Sequence, residues 1–582
     1  MGIQHTAPDE IVSDDERAWW KEAVVYQVYP RSFNDSDGDG IGDLAGITEK
    51  VDYLDSLGVD VVWLCPVYSS PQRDNGYDIS DYRAIHEEYG TMADWETLLD
   101  ALHDRDMRLI MDLVVNHTSD QHEWFQRSRR REGEYADYYH WQDGRPATEA
   151  DYDTADGPAD EVAPNNWDSI FGGSAWSYDD ERGQWYLHLF DETQPDLNWR
   201  NPDVRAAVYE MMNWWLEKGI DGFRIDAIDF LSKAEGYPDG DPSASLVGLE
   251  QFSHGPRLQE YLRELHDETL ANYDATTVGE MGETTVEQVN DYIGEDGPLD
   301  MAFQFDHTGV DFGSDGQWDL DDWGKWDLVE LKGIIAHKQR AVEWDTLFFG
   351  NHDLPRVVSR FGDDGEYRTE SAKLFATLLL TMSGTPYIYQ GEEIGMTNAE
   401  FDSLDEVDDP MTLGKVEEFL DAGAIDAPED ALGIVNYWSR DHARTPMQWD
   451  DSENAGFTDG DPWLAVNPNY EEINVAAAEA DPDSVLHYYR ELVDLREGND
   501  VLVYGTYTDL CPDHESVWAY RMELDEVAVL VTLNVSASVT SVTIDDAARS
   551  TALLVANYDD APTVTDANLT LRPYEARVYS LN

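Results

Sequence analysis

Three carboxylates each follow a short apolar run: Asp226 after 222–225, Glu280 after 276–278 and Asp353 after 347–349. Two carboxyl groups about 5–5.5 Å apart can open a glycosidic bond with retention, one as nucleophile and the other as acid and then base. Asp226 and Glu280 are 54 positions apart (280 − 226), so no helical spacing brings them together. Two strands that end on one face of a barrel do. Arg224, two residues before Asp226 on the same strand, points to the same side and favours an ionised carboxylate. His352 precedes Asp353, and His117 closes a further apolar run. Separately, Asp35, Asp37, Asp39 and Asp43 space oxygen ligands along a Gly-rich loop around Ile41. Hard cations such as Ca²⁺ take oxygen ligands of this kind. The twelfth position of that loop is Gly46 rather than Glu, so it is not an EF-hand, and an acidic turn without a fixed ion is the alternative.

The elements that must hold these residues recur regularly. Apolar runs lie at 24–29, 59–64, 109–115, 222–225, 276–278, 301–305, 347–349 and 386–389. Helical patterns separate them, as in Pro202–Lys218 with Val204, Val208, Met211, Met212 and Trp215 at helical spacing. Such alternation predicts a parallel sheet, and eight repeats predict a (β/α)₈ barrel, a doubly wound open sheet being the alternative. Polar residues directly after the strands match the face where barrel enzymes keep their active sites. The stretch 118–186 is irregular and rich in Asp, Gly, Trp and Tyr, and 399–430 is an acidic insertion of no evident role. Beyond about 500 the runs 501–506, 517–521, 527–535, 541–544, 552–555 and 576–581 predict a small antiparallel β domain. The expected division is a first barrel segment of residues 1–117 (with a polar arm, 1–18), an insert 118–186, a second barrel segment of residues 187–500 and a β domain 501–582.

Four motifs carry a family resemblance. Asp112-Leu-Val-Val-Asn116-His117, Gly222-Phe-Arg224-Ile-Asp226, Val278-Gly279-Glu280 and Asn351-His352-Asp353 occur in this order and resemble the four conserved regions of the α-amylase superfamily, glycoside hydrolase family 13. Gln194-Pro195-Asp196-Leu197-Asn198 resembles the extra motif of its oligo-1,6-glucosidase and α-glucosidase subgroup, as do 26–33 and 443–449. The resemblance implies a (β/α)₈ barrel, a domain inserted after strand three and a C-terminal antiparallel β domain. It implies Asp226 as nucleophile, Glu280 as acid and base, and Asp353 as the third acid that holds sugar hydroxyls. His117 and His352 match the family's pair of sugar-hydroxyl donors. Tyr77 would stack on the terminal glucose, while Asp78 would pair with Arg444 to close the pocket behind one sugar. Phe171 and Phe190 would be pocket walls. The Asp35 loop would bind a structural Ca²⁺ or Mg²⁺ through Asp35, Asp37, Asp39, Asp43 and the Ile41 carbonyl, with no organic cofactor. Ala227, after the nucleophile, leaves room for an α-1,4 aglycone and favours maltose-type substrates. Trehalose synthase-like isomerisation and α-1,6 preference remain alternatives.

Composition excludes other classes. The 582 residues carry 122 Asp+Glu against 38 Lys+Arg, a formal net charge of −84. Such a chain repels nucleic acid and anionic lipid. Disorder is excluded as well, because 41% of residues are hydrophobic and 20 Trp, 31 Tyr and 17 Phe supply a large core. Nine Lys and a pI near 4.1 resemble the proteins of salt-in halophiles. Two distant cysteines, Cys65 and Cys511, form no disulfide framework. With no apolar run of membrane length and no secretory signal, the expectation is a cytoplasmic enzyme acting on a small oligosaccharide or disaccharide.

Overall fold

The computed structural model describes residues 12–13, 17–147, 161–294, 297–314 and 316–582. The polar arm therefore lies almost wholly outside the described residues, as does a portion of the insert. Eight parallel strands form one sheet: β1 (Val25–Val28), β2 (Val61–Leu64), β3 (Arg108–Val114), β4 (Gly222–Asp226), β5 (Thr276–Glu280), β6 (Met301–Phe303), β7 (Thr346–Leu347) and β8 (Thr385–Tyr389). Their order is 6-5-4-3-2-1-8-7, so every consecutive pair except β6 and β7 is hydrogen-bonded through its backbone. At that seam the Thr346 hydroxyl donates to the Ala302 carbonyl at 3.0 Å. The result is a (β/α)₈ barrel.

Near-continuous burial of these strands explains their apolar runs, since the barrel interior is filled and helices cover the outside. The helix Pro202–Lys218 shows how the surround is built. Asn201 caps it, Pro202 opens it and Gly219 ends it at φ 103°. Its buried stripe includes Val204, Val208, Met211, Met212 and Trp215, which lie at the helical spacing expected from the sequence.

Between β3 and β4 the chain forms a three-stranded antiparallel sheet, Trp141–Gln142, Gln184–Leu187 and Trp176–Asp179, whose Trp176 and Trp185 share an apolar cluster with Trp167. The C-terminal region is an antiparallel sheet of Thr506–Asp509, Val517–Leu524, Val527–Asn534, Ala576–Leu581 and Ser550–Ala556. One expectation fails here. The apolar run at 501–506 is not a strand: Asp500–Tyr504 is a short helix capped by the Asn499 side chain. Four apolar residues bounded by Asp500 and Gly505 satisfy either element, and the Asn499 cap decides it. Lys332 of a barrel helix joins this sheet to the barrel, donating to the Cys511, His514 and Val517 carbonyls at 2.8, 2.6 and 3.1 Å. No helix among the described residues is long and apolar enough to cross a membrane.

Candidate active site

The centre of the site is one guanidinium. Arg224, buried at the end of β4, donates from Nη1 to Asp112 at 2.8 Å and to Asp226 at 2.7 Å. Its Nη2 lies 2.8 Å from Glu280 Oε2 at the end of β5. Adjacent parallel strands therefore bring the two expected catalytic carboxylates onto one fork. Burial pushes Asp226 well above the usual carboxylate range; Arg224 pulls it down, while Glu280 and Asp112 add to the rise. Asp112 is pushed up to about 6 by burial, against the pull of Arg224. Three carboxylates share one buried cation, so Arg224 offsets only part of their charge. After Asp226 the strand stops abruptly. Ala227 adopts φ 45°, and its N–H donates to Glu280 Oε2 at 3.1 Å.

These groups line a cavity of about 640 Å³ at the C-terminal ends of the strands. Tyr77, His117, Phe171, Phe190, Asp226, Ala227, Glu280 and Asp353 all face it, as expected. His117 is held by the Tyr77 carbonyl at 3.1 Å and lies 4.9 Å from the Phe190 ring. Burial lowers its pKa to about 4, which keeps the imidazole neutral. Asp353 is pushed up by burial but held below the usual range by His352, Arg440 and Arg444.

Five expected residues stand behind the wall instead. Arg224 acts on the cavity through its carboxylates. Gln194 donates to Asp74 at 3.1 Å. His352 has its ring nitrogens joined to Gln27 at 2.8 Å and Tyr77 at 2.7 Å, with the Tyr77 ring stacked on it at 5.2 Å. It supports the cavity-facing groups rather than lining the cavity itself.

The expected Asp78–Arg444 grip is not formed. Asp78 is fully buried and closes its own turn, accepting from Ser70 Oγ at 2.8 Å, Arg73 N at 3.0 Å and Asp74 N at 3.2 Å. Arg444 donates to Asp353 at 2.7 Å and to the His352 carbonyl at 3.1 Å. The pair that faces the cavity is Asp74 with Arg440, 3.3 Å apart. The turn reverses through Asn75 at φ 47° and Gly76 at φ 104°, which aims Asp74 inward and Asp78 away. Asp74, Arg440 and Asp112 were thus missed as site residues. Asp112 opens one motif that carried the resemblance and Arg440 stands three positions before another, but nothing in the chain distinguishes Asp74 from Asp78 or Arg440 from Arg444. The acidic insertion also contributes. Its helix Pro410–Asp421 brings Met411 to the cavity, and Asp409 holds Arg440 at 2.6 Å.

Far from this cavity in role, the Asp35, Asp37 and Asp39 carboxylates converge, with one oxygen of each within 4.8 Å of the others. No Lys or Arg pairs with them among the described residues. Their backbone bonds to Gly38, Gly40, Asp39 and Ile41 hold the loop open around that point. The donor set fits a hard cation. Asp43 stands apart from this group: its carboxylate caps the helix Leu44–Glu49 at Gly46 N, 2.6 Å away, and binds Ser36.

A closed (β/α)₈ barrel with paired acids on β4 and β5 defines a class of sugar-cleaving enzymes, and comparison agrees. Residues 27–505 match the family model "Alpha amylase, catalytic domain". The chain is 50% identical to an oligo-1,6-glucosidase of Parageobacillus thermoglucosidasius, covering 97% of this chain and 99% of the relative. It is 44% identical to the trehalose-6-phosphate hydrolase of Bacillus subtilis, over 97% and 99%. The crystal structure of the isomaltulose synthase of Protaminobacter rubrum superimposes with a TM-score of 0.91 at 43% identity, covering 97% and 100%. The chain belongs to the alpha-amylase family. Within it, it is a glycoside hydrolase of the α-glucosidase type.

Proposed function

We propose that this enzyme is an exo-acting, retaining α-glucosidase that releases glucose from the non-reducing ends of short α-glucosides. The observation that carries the reading is the single Arg224 fork shared by Asp226 and Glu280. A fork that reaches both groups keeps them close, as a retaining pair about 5–5.5 Å apart requires. Asp226 attacks the anomeric carbon while Glu280 gives its proton to the departing oxygen. Glu280 then takes a proton from water, which displaces Asp226 and restores the α configuration. Asp353, with Asp74 and Arg440, receives the hydroxyls of the terminal sugar. The last two form a charged back wall, which limits the inner pocket to one sugar and makes cleavage exo. Some transfer to sugar acceptors follows from the same covalent intermediate.

The lining favours a neutral substrate. Asp229, Glu283 and Asp306 join the acids already named, and Arg440 is the one Lys or Arg among the lining residues described. A phosphorylated disaccharide would meet repulsion there. Small Ala227 beside the scissile bond supports α-1,4 substrates such as maltose. The similarity to an oligo-1,6-glucosidase supports a second reading, α-1,6 preference. Initial rates on maltose, isomaltose, sucrose, trehalose and maltotriose separate the two. A trehalose product from maltose would replace hydrolysis by isomerisation as the main reaction. The net charge of −84 supports a protein adapted to brine and to the cytoplasm of a salt-accumulating cell. At about 1 M salt the Debye length falls to about 3 Å, which screens its self-repulsion. Activity and thermal midpoint then rise from dilute buffer to molar salt; equal stability in both would reject this.

A further inference from the structure

One carboxylate ties the insertion helix to the sugar pocket. Asp409 is fully buried. It caps the helix Pro410–Asp421, accepting from Met411 N at 3.1 Å, Thr412 N at 3.3 Å and Thr412 Oγ1 at 2.5 Å. The same group accepts from Arg440, with Nε at 2.8 Å and Nη2 at 2.6 Å. The other acids near Arg440 are more distant, Asp74 at 3.3 Å and Asp353 at 3.4 Å. The firmest partner of this pocket arginine is therefore outside the pocket. The helix is also seated on the pocket's aromatic wall. The Arg440 guanidinium lies 5.2 Å from the Phe171 ring centroid, and Gly414 packs against the Phe171 carbonyl with no room to spare.

Three acids compete for one fork. Without the charge of Asp409, Arg440 would face only Asp74 and Asp353 and would close on both. Their oxygens would then be occupied by the guanidinium instead of by sugar hydroxyls. Asp353 is already bound by Arg444 at 2.7 Å, so it has little capacity left.

We propose that Asp409 is a positioning residue for glucosyl binding: it draws Arg440 back from Asp353 and Asp74 and keeps their outer oxygens open. The proposal rests on the assignment of this cavity as the glucosyl pocket. Asp226→Ala tests that assignment by itself, because retained turnover would remove the pocket and not merely the role of Asp409.

The test is a double-mutant cycle on the full chain. Asp409→Asn keeps a good cap and the shape but removes the charge. Wild type, Asp409→Asn, Arg440→Lys and the double variant are compared by the Ki of 1-deoxynojirimycin, a glucose-sized inhibitor, and by kcat and KM on p-nitrophenyl α-glucoside. Loss of a charge-assisted hydrogen bond raises Ki and KM about tenfold to hundredfold for Asp409→Asn, with kcat changing less. Since Asp409 acts through Arg440, the double variant matches Arg440→Lys alone. Thr412→Val loosens the same cap without touching Arg440 and leaves Ki near wild type. An unchanged Ki in Asp409→Asn, penalties that multiply in the double variant, or an equal penalty in Thr412→Val would each overturn the proposal. Should Asp409→Asn fail to fold, Asp409→Ser, which still caps the helix but carries no charge, takes its place in the same cycle with the same expected outcomes.

Discussion

Replacing Arg224 by Leu tests the electrostatic reading of the site most severely. The side chain is 2% exposed and touches Asp112, Asp226 and Glu280 at 2.8, 2.7 and 2.8 Å. Removing one partner of a buried ion pair costs about 3–5 kcal/mol, since the remaining charge stays buried and unpaired. Here three acids lose their shared cation, and the two buried ones, Asp226 and Asp112, respond by holding protons more firmly. Asp226 and Asp112 already have folded-state pKa values above their ordinary ones, and loss of the cation raises both further. The native state then binds more protons than the unfolded chain above about pH 4, so stability falls as pH rises. The variant's deficit is accordingly larger at pH 8 than at pH 5. The difference is up to about 1.4 kcal/mol per pH unit for each proton retained. Urea unfolding at the two pH values and fixed salt measures it. On p-nitrophenyl α-glucoside, kcat/KM falls at least about a hundredfold, because the nucleophile loses both the cation that favours its charged form and its aim. A deficit equal at both pH values, or kcat/KM within about tenfold of wild type, would refute the reasoning.

Other expectations follow from single residues. Asp226→Ala abolishes turnover of p-nitrophenyl α-glucoside while the thermal midpoint stays within a few degrees. Glu280→Gln loses far more activity on maltose than on the p-nitrophenyl glucoside, whose leaving group needs little protonation; equal losses would count against Glu280 as the acid. Asp229 lines the cavity and is pushed up to about 8, chiefly by burial, with Glu283 and Glu280 adding to the rise. Its folded pKa is above its unfolded one, so its contribution to stability is lost as pH rises toward 8. Asp229→Asn removes that loss, and its advantage over wild type in urea grows between pH 5 and 8; a constant difference would contradict the shift. Chelation lowers the thermal midpoint if the Asp35 loop holds a divalent cation, and added Ca²⁺ or Mg²⁺ restores it. Asp37→Asn makes the protein insensitive to both treatments.

Much was legible in the chain because the barrel imposes a local rule. Each strand must be apolar and must end at the catalytic face, so a carboxylate directly after an apolar run already declares its position. Asp226, Glu280 and Asp353 were singled out this way, as were all eight strands, while the class of reaction came from the resemblance of the four motifs. His117, which closes another apolar run, and Tyr77, expected from the resemblance, also face the cavity. The sequence left open whatever depends on the aim of a side chain after a turn. Asp74 and Asp78 are four residues apart, as are Arg440 and Arg444, and the types are identical. Two positive-φ residues at Asn75 and Gly76 decide which acid turns inward. Asp409 is hidden differently. It is one acid among 122, in an insertion whose composition suggests only a solvated surface. Its role exists because the folded helix carries it to an arginine 31 positions away. Local pattern thus determined where charges leave the strands. Tertiary structure alone determined which opposite charges meet, because that is set by distances in a packed interior and not by spacing along the chain.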